Sequence, residues 1–303
     1  GCTPTAISYW SVRAVAEQGS ENPFAGTETE AIARLDHLLR DAVKLRMEAD
    51  VPLGAFLSGG VDSSTIIALM QAQSAQPVRT FSIGFHEAAY DEAEYAKAVA
   101  KHLGTTHTNL YVTPDEAMAV IPRLPTLYDE PFGDSSQIPT FLLSQLARRD
   151  VTVSLSGDGG DELFAGYDIY FSGLRILKKI GWMPRFLRAL SARGLSMQSL
   201  SSWKALFRMI EPIFLKHLPQ RGLGHKLKKV TDFLSADCGE TLYRAMSTNW
   251  DAPGSLVIGA SEPPTPLTDP TQWAHLPDLL GCMMYTDARM YLPDDILVKV
   301  DRA

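Results

Sequence analysis

The sequence predicts a parallel α/β sheet of the doubly wound, Rossmann-like kind, and three observations carry the prediction. A near-continuous apolar run at Val51–Phe56 and a strand at Val151–Leu155 each end in a glycine-rich turn that leads into a helix pattern. Between them, strand-like and helix-like segments alternate, as they do when strands are joined through helical crossovers. After Phe171 the alternation gives way to Leu, Phe and Trp at helical spacings, so the chain continues as a helical C-terminal portion.

The first turn, Leu57-Ser58-Gly59-Gly60-Val61-Asp62-Ser63-Ser64, joins the first strand to a helix through Thr65–Met70. The leading N–H groups of a helix have no internal partner and carry the positive end of its dipole, which favours an anion. Two glycines let the backbone approach that anion closely. Ser58, Ser63 and Ser64 add hydroxyl donors for phosphate oxygens, and Asp62, which would repel a phosphate, is read as a ligand for Mg²⁺. A serine-capped glycine turn with no ligand is the alternative. Neither a lysine-bearing P-loop nor a Gly-x-Gly-x-x-Gly with its downstream acid is present.

Residues 1–27, rich in Gly, Ser, Thr and Pro, read as a linker with Tyr9 and Trp10 as its anchor, and Cys2 reads as incidental. Glu28–Glu48 is an amphipathic helix whose stripe of Ile32, Leu35, Leu39 and Val43 is expected to pack on the sheet. Val78–Phe85 is the second strand. Its end, at Ser82, Ile83 and Gly84, is expected to face the same crevice as Ser58. Asp91-x-x-Glu94 has the form of a capping box opening a helix that Gly104 stops, and Thr108–Val112 is a short strand. His102 and His107 bracket that turn and are assigned surface or packing roles. A polar loop, Tyr128–Ser136, leads into a helix at Pro139–Arg149.

The second turn is Ser156-Gly157-Asp158-Gly159-Gly160-Asp161-Glu162-Leu163-Phe164-Ala165-Gly166-Tyr167. Three carboxylates within five residues repel one another unless a cation is present, and a divalent metal is the economical explanation. An acidic helix start helped by the dipole is the alternative. Two such turns at the ends of two buried strands are expected to face each other across one crevice.

Composition bounds the rest. A length of 303 residues suits one large domain or two smaller ones, and 45% hydrophobic residues are ordinary for a globular chain. A net charge of −7 argues against a general nucleic-acid binder, and Lys178-Lys179 and Lys226-Leu227-Lys228-Lys229 read as solvated helix faces. Cys2, Cys238 and Cys282 are too far apart in sequence to suggest a disulfide framework or a zinc site, so a reducing, cytoplasmic setting is expected. No apolar run approaches the ~18 residues of a membrane helix, and no signal-peptide pattern opens the chain.

Ser-Gly-Gly-x-Asp-Ser at 58–63 resembles the pyrophosphate loop of the ATP pyrophosphatases. With Asp50–Leu57 in front of it, the resemblance narrows to the synthetase domain of the glutamine-hydrolysing asparagine synthetases. Asp129-Glu130-Pro131-Phe132, Ser156–Tyr167 and Tyr291–Arg302 are similar to the same family. The first implies that the 128–136 loop lies beside the nucleotide pocket with Ser135 and Ser136 as polar contacts, although Asp129 and Glu130 read equally well as solvated.

The resemblance implies an adenine-nucleotide α-hydrolase-like fold. Residues 1–27 would be a linker from a glutaminase domain, 28–170 the ATP pyrophosphatase core, and 171–303 a mostly helical remainder truncated before the acceptor pocket is complete. It implies ATP bound by Leu57, Ser58, Gly59, Gly60, Asp62, Ser63, Ser64, Ser156 and Gly157, with Ile83 holding adenine through its main chain. Asp62 and Asp161 would hold Mg²⁺ on the β and γ phosphates. Asp158, where many relatives have glutamate, would assist formation of the acyl-adenylate, and Lys299 would neutralise charge on the reacting phosphate or acyl intermediate.

The activity implied is amidation of a carboxylate, aspartate first among them, with ammonia from the glutaminase domain and release of AMP and pyrophosphate. No nucleic acid or membrane is involved, and a homodimer is compatible with the resemblance. The same parts serve amidation of another carboxylate in cell-surface or natural-product chemistry, or an ATP-binding module without turnover. A tRNA-thiolating enzyme shares the first motif but would want reactive cysteines and a basic surface, and this sequence suggests neither.

Overall fold

A computed structural model of the protein describes residues 7–86, 91–196, 230–236, 238–248, 250 and 253–303, so Cys2 and the lysines at 226, 228 and 229 lie outside it. The chain forms two compact units: 22–164 together with 290–303, and 1–21 together with 165–289.

The first unit is built on four parallel strands, β1 (Leu53–Phe56), β2 (Arg79–Phe85), β3 (Thr106–Val112) and β4 (Val153–Leu155), in the order β3-β2-β1-β4. The α/β class read from the alternation is the one observed. The strand order carries the functional consequence, because the chain winds outward from β1 to β3 and then jumps to the other side of β1 to lay down β4. A crevice opens at such a reversal, beyond the carboxyl ends of the two strands that flank it. Here those strands are β1 and β4, and each is followed by a glycine turn.

Both faces of β1 are covered, which is why it reads as an unbroken apolar run, whereas β4, expected to be buried, is an edge strand with Val153 exposed and Ser154 and Leu155 only part-buried. Ala55 and Leu57 pack with Val43, Ile67, Leu69, Met70, Ala96 and Ala100, supplied by the helices Glu28–Met47, Val61–Gln73 and Ala93–Leu103. On the opposite face Phe56 and Phe81 meet Leu143, Leu146 and Ala147 of the helix Gln137–Ala147.

The stripe on Glu28–Met47 is only partly used. Val43 is buried with Leu39 and Met47 beside it, packed in one cluster with the helix Val61–Gln73, whereas Ile32 is 61% exposed and Leu35 also faces outward. Thr27 and Glu30 close a capping box at that helix's start, the Thr27 N–H donating to Glu30 Oε2 at 2.7 Å. The box expected at Asp91 and Glu94 does not form. The helix is capped one residue later, at Glu92, so Glu94 falls on its first turn, and Asp91 Oδ1 instead accepts the Ala93 N–H at 3.1 Å. Gly104 ends this helix in the left-handed region, as expected.

The second unit is helical. Tyr170, Tyr243, Trp273 and Met283 form its main core, and buried Asp287 on the helix Leu279–Arg289 accepts hydrogen bonds from the hydroxyls of Tyr170 and Tyr243. Within the stretch read as a linker, Val12–Glu21 is helical and belongs to this unit. Tyr9 and Trp10 are exposed and anchor nothing; Glu17 does so by accepting the His275 N–H at 3.0 Å. Lys178 and Lys179 are exposed in the last turn of the helix Asp168–Ile180, as solvated residues should be. No helix among the described residues is long and apolar enough to cross a membrane.

Candidate active site

The first turn is held in shape by its own serines. Ser63 Oγ accepts the Ser58 N–H at 3.3 Å and lies 2.9 Å from Ser58 Oγ, while Ser58 Oγ accepts the Gly60 N–H at 3.2 Å. Gly59 adopts φ +83°, and the turn sits against Tyr95 and Ala96. Gly60 caps the helix Val61–Gln73 with no side-chain hydrogen bond, so the leading N–H groups of that helix are left to an incoming anion. Ser58 and Ser63 thus shape the cradle as well as lining it. Ser64 Oγ is buried with no hydrogen-bond partner among the described residues.

The second turn lies directly against the first. A Cβ placed on Gly157 would stand 2.7 Å from the Ser63 backbone nitrogen, and one on Gly160 would stand 2.6 Å from Asp62 Cγ. The two turns expected to face each other therefore adjoin, and two glycines make their close approach possible. Ser156 Oγ donates to Asp158 Oδ2 at 2.7 Å, so Asp158 stands at the rim of the second turn.

Asp161 opens the short helix Gly160–Phe164, and its carboxyl is pushed above the ordinary aspartate range, first by burial and then by the charges of Asp62, Glu162 and Asp158. A cation between Asp62 and Asp161 would relieve that repulsion. Among the described residues no group of three or more His, Cys, Asp or Glu side chains is placed to hold a metal by itself. Two carboxylates nevertheless fit Mg²⁺ well, because it is commonly bound by one or two carboxylates together with substrate phosphates.

The end of β2 contributes less than expected. Ser82 is buried and donates to Asn109 Oδ1, so its hydroxyl belongs to the β2–β3 ladder and not to the crevice. Ile83 remains partly exposed near the carboxyl end of β2, where its main chain is paired in the sheet with Leu110. His107 sits in the same ladder, its Nδ1 2.9 Å from Thr80 Oγ1, a packing role as expected.

Lys299 was expected from the resemblance, but its immediate partners were not. It is a buried residue on the helix Leu297–Arg302, and its Nζ donates to Asp134 Oδ2 and Ser136 Oγ, both at 2.8 Å. Topology locates this cluster. Thr152 N donates to the carbonyl of Pro52 and Arg79 to that of Asp150, so the C-terminal end of the helix Gln137–Ala147 lies at the amino ends of β1 and β2. Its eleven residues span about 16 Å, which carries its N-terminus, with Asp134 and Ser136 before it, toward the carboxyl edge where both turns lie. The segment bearing Lys299 also reaches the second turn, since a Cβ on Gly159 would lie 3.8 Å from Leu292.

Asp129 pairs with Arg302 at 2.6 Å on the surface. A hollow of about 1160 Å³ is lined in part by Val153, Ser154 and Ser156, but neither Asp62 nor Asp161 lines it. The candidate site is instead the pair of turns at the switch point.

Comparisons with known proteins identify the family. The family model described as asparagine synthase matches residues 34–303. A protein of Methanocaldococcus jannaschii, provisionally named a glutamine-hydrolysing asparagine synthetase, is 47% identical over 157 residues, covering 52% of this chain and 30% of its own. The Bacillus subtilis asparagine synthetase 1 is 38% identical over 149 residues, 49% of this chain and 23% of that protein, and the human enzyme is 36% identical over 163, 50% and 28%. The chain thus spans less than a third of the length of these relatives. On the family match and the two motif-bearing turns, the chain belongs to the asparagine synthase family, of which it carries the synthetase domain.

Proposed function

We propose that the protein activates a carboxylate with Mg-ATP and converts it to an amide, with aspartate as the carboxylate and asparagine as the product. The carboxylate attacks the α-phosphorus, pyrophosphate leaves, and ammonia then displaces AMP from the acyl carbon. The relatives' names supply glutamine as the ammonia source.

In this reading Leu57, Ser58, Gly59, Gly60, Ser63 and Ser64 form the pyrophosphate cradle, Ser156 and Gly157 line the nucleotide, and the Ile83 main chain meets adenine. Asp62 and Asp161 would hold Mg²⁺, which neutralises phosphate charge. Asp158 sits where the acyl-adenylate forms, and Lys299 supplies positive charge as pyrophosphate departs.

The observation that carries the reading is the contact of the two turns, Gly157 on Ser63 and Gly160 on Asp62, at the switch point of the sheet. Aspartate-dependent release of pyrophosphate is expected to fall at least ~100-fold in both Asp62→Ala and Asp161→Ala. Release unchanged in both variants would sink the proposal.

One residue favours a second reading, amidation of a different carboxylate. Asp158 is one methylene shorter than the glutamate that the resemblance to asparagine synthetases implies at this position, so the acid beside the acyl group is set back. A panel of carboxylates scored for AMP formation separates the two, and the acid giving the highest kcat/KM identifies the acceptor.

A further inference from the structure

The lysine assigned to the leaving pyrophosphate is held by groups that the reaction scheme leaves without a role. Asp134 Oδ2 accepts from Lys299 Nζ at 2.8 Å and from Ser136 Oγ at 2.6 Å, and Asp134 Oδ1 accepts the Ser136 N–H at 2.9 Å. Ser136 Oγ in turn accepts from Lys299 at 2.8 Å. The three groups close a ring, and an ammonium on a flexible four-carbon stem is fixed at two of its three protons.

We propose that Asp134, with Ser136, is the positioning residue for Lys299, aiming its remaining ammonium proton at an oxygen of the reacting nucleotide.

Three features distinguish this from an ordinary ion pair. The pair is secluded, with side chains only 10% and 19% exposed, so solvent screens it little. It stands at the N-terminus of the helix Gln137–Ala147, which starts toward the carboxyl edge of the sheet, on the side of the two turns. And among the described residues the ring accounts for two of the three Lys299 protons, so one is left to point elsewhere.

Burial alone would push the Asp134 carboxyl up, but the hydrogen bonds from Lys299 and Ser136 outweigh it and hold it below the usual aspartate range, so it stays an anion. Asp295 lies near both groups: its carboxyl is pushed upward by burial, by the Asp134 charge and by a hydrogen bond with Asp134, against the opposing pull of Lys299.

The inference rests on the ligase reading, and a double-mutant cycle separates the two. Asp134→Asn keeps the shape and an acceptor for the Ser136 N–H but removes the charge. It is expected to lower kcat for pyrophosphate release about 100-fold while KM for Mg-ATP moves by less than about threefold. Lys299→Ala is expected to lose at least as much, and the double variant no more than Lys299→Ala alone, because Asp134 acts only through the lysine. Losses that multiply, or a wild-type kcat in Asp134→Asn, overturn the inference.

Should Asp134→Asn fail to fold, Ser136→Ala removes one ammonium acceptor and is expected to cost about tenfold in kcat, and a wild-type rate there overturns it equally. If the unaltered protein releases no pyrophosphate with any carboxylate, the ligase reading fails on its own. Calorimetric titration with Mg-pyrophosphate then decides the inference: Asp134→Asn and Lys299→Ala must weaken binding without adding to each other, and additive or absent effects refute it.

Discussion

At the scale of single residues, the site depends on two missing methyl groups. Gly157 and Gly160 are both refused a Cβ, but by different neighbours, so they predict different failures. At Gly157 the obstacle is the Ser63 backbone nitrogen at 2.7 Å, which cannot move without shifting the first turn of a helix. At Gly160 it is the Asp62 carboxylate at 2.6 Å, the end of a side chain that can swing aside. Gly157→Ala should therefore cost roughly 1–3 kcal/mol of stability as well as activity. Gly160→Ala should leave the melting temperature nearly in place and weaken Mg-ATP binding at least about tenfold, because it displaces one proposed metal ligand. Paired thermal melts and calorimetric ATP titrations check the contrast, and equal melting losses in the two variants would refute it. That these glycines make turns is legible in Ser156–Glu162 itself; which atoms refuse their side chains is not, since the neighbours lie on the first turn, far away in the chain.

At the scale of elements, local patterns serve where the determinant is local. The apolar run before the first turn marks β1, the alternating Val151–Leu155 marks β4, and Gly104 marks a helix end. The same logic misleads at Asp91-x-x-Glu94, which has the spacing of a capping box yet forms none, while Thr27-x-x-Glu30 and Thr113-x-x-Glu116 do. What decides is the residue at which the helix starts, set for Ala93–Leu103 by packing of its alanines against the core, not by the acidic pair. Thr27→Ala should accordingly cost about 1 kcal/mol, whereas Glu94→Ala, on an exposed side chain bonded loosely to Lys97 and Tyr111, should cost under about 0.5 kcal/mol. Denaturant midpoints compare them, and a larger loss at Glu94 would mean that the box forms in solution. Asp134 was illegible for a related reason: an acid in a polar loop reads as solvated until the last helix of the unit returns to it with Lys299.

At the scale of the whole molecule, the alternation of strands and helices reveals the sheet, because each parallel crossover repeats the same pattern. The helical unit offers no such repeat, and its buried centre, Asp287 between Tyr170 and Tyr243, joins residues from three helices that no spacing links. The sheet unit holds a comparable polar knot that can be tested through acid stability. His107 is half-buried on β3, facing Thr80 and Ser82 of β2, with Asn109 beside it on the same face, and none of these carries a charge to balance an imidazolium. Burial lowers its pKa below the ordinary histidine value, against the opposing effect of hydrogen bonds with Asn109 and Thr80. The unfolded chain therefore binds the proton more readily than the folded one, so this contribution to stability is intact above the unfolded pKa of about 6.5 and declines as pH falls below it. His107→Gln keeps a donor and an acceptor but cannot charge. It should be less stable than the parent at neutral pH, through imperfect packing, yet lose less on acidification, so that the two melting temperatures converge between about pH 7 and pH 5. The other histidines and the carboxylates titrate in both proteins and cancel in the difference. Parallel melting curves that keep a constant gap across that range would show that the β2–β3 ladder tolerates a charged imidazole.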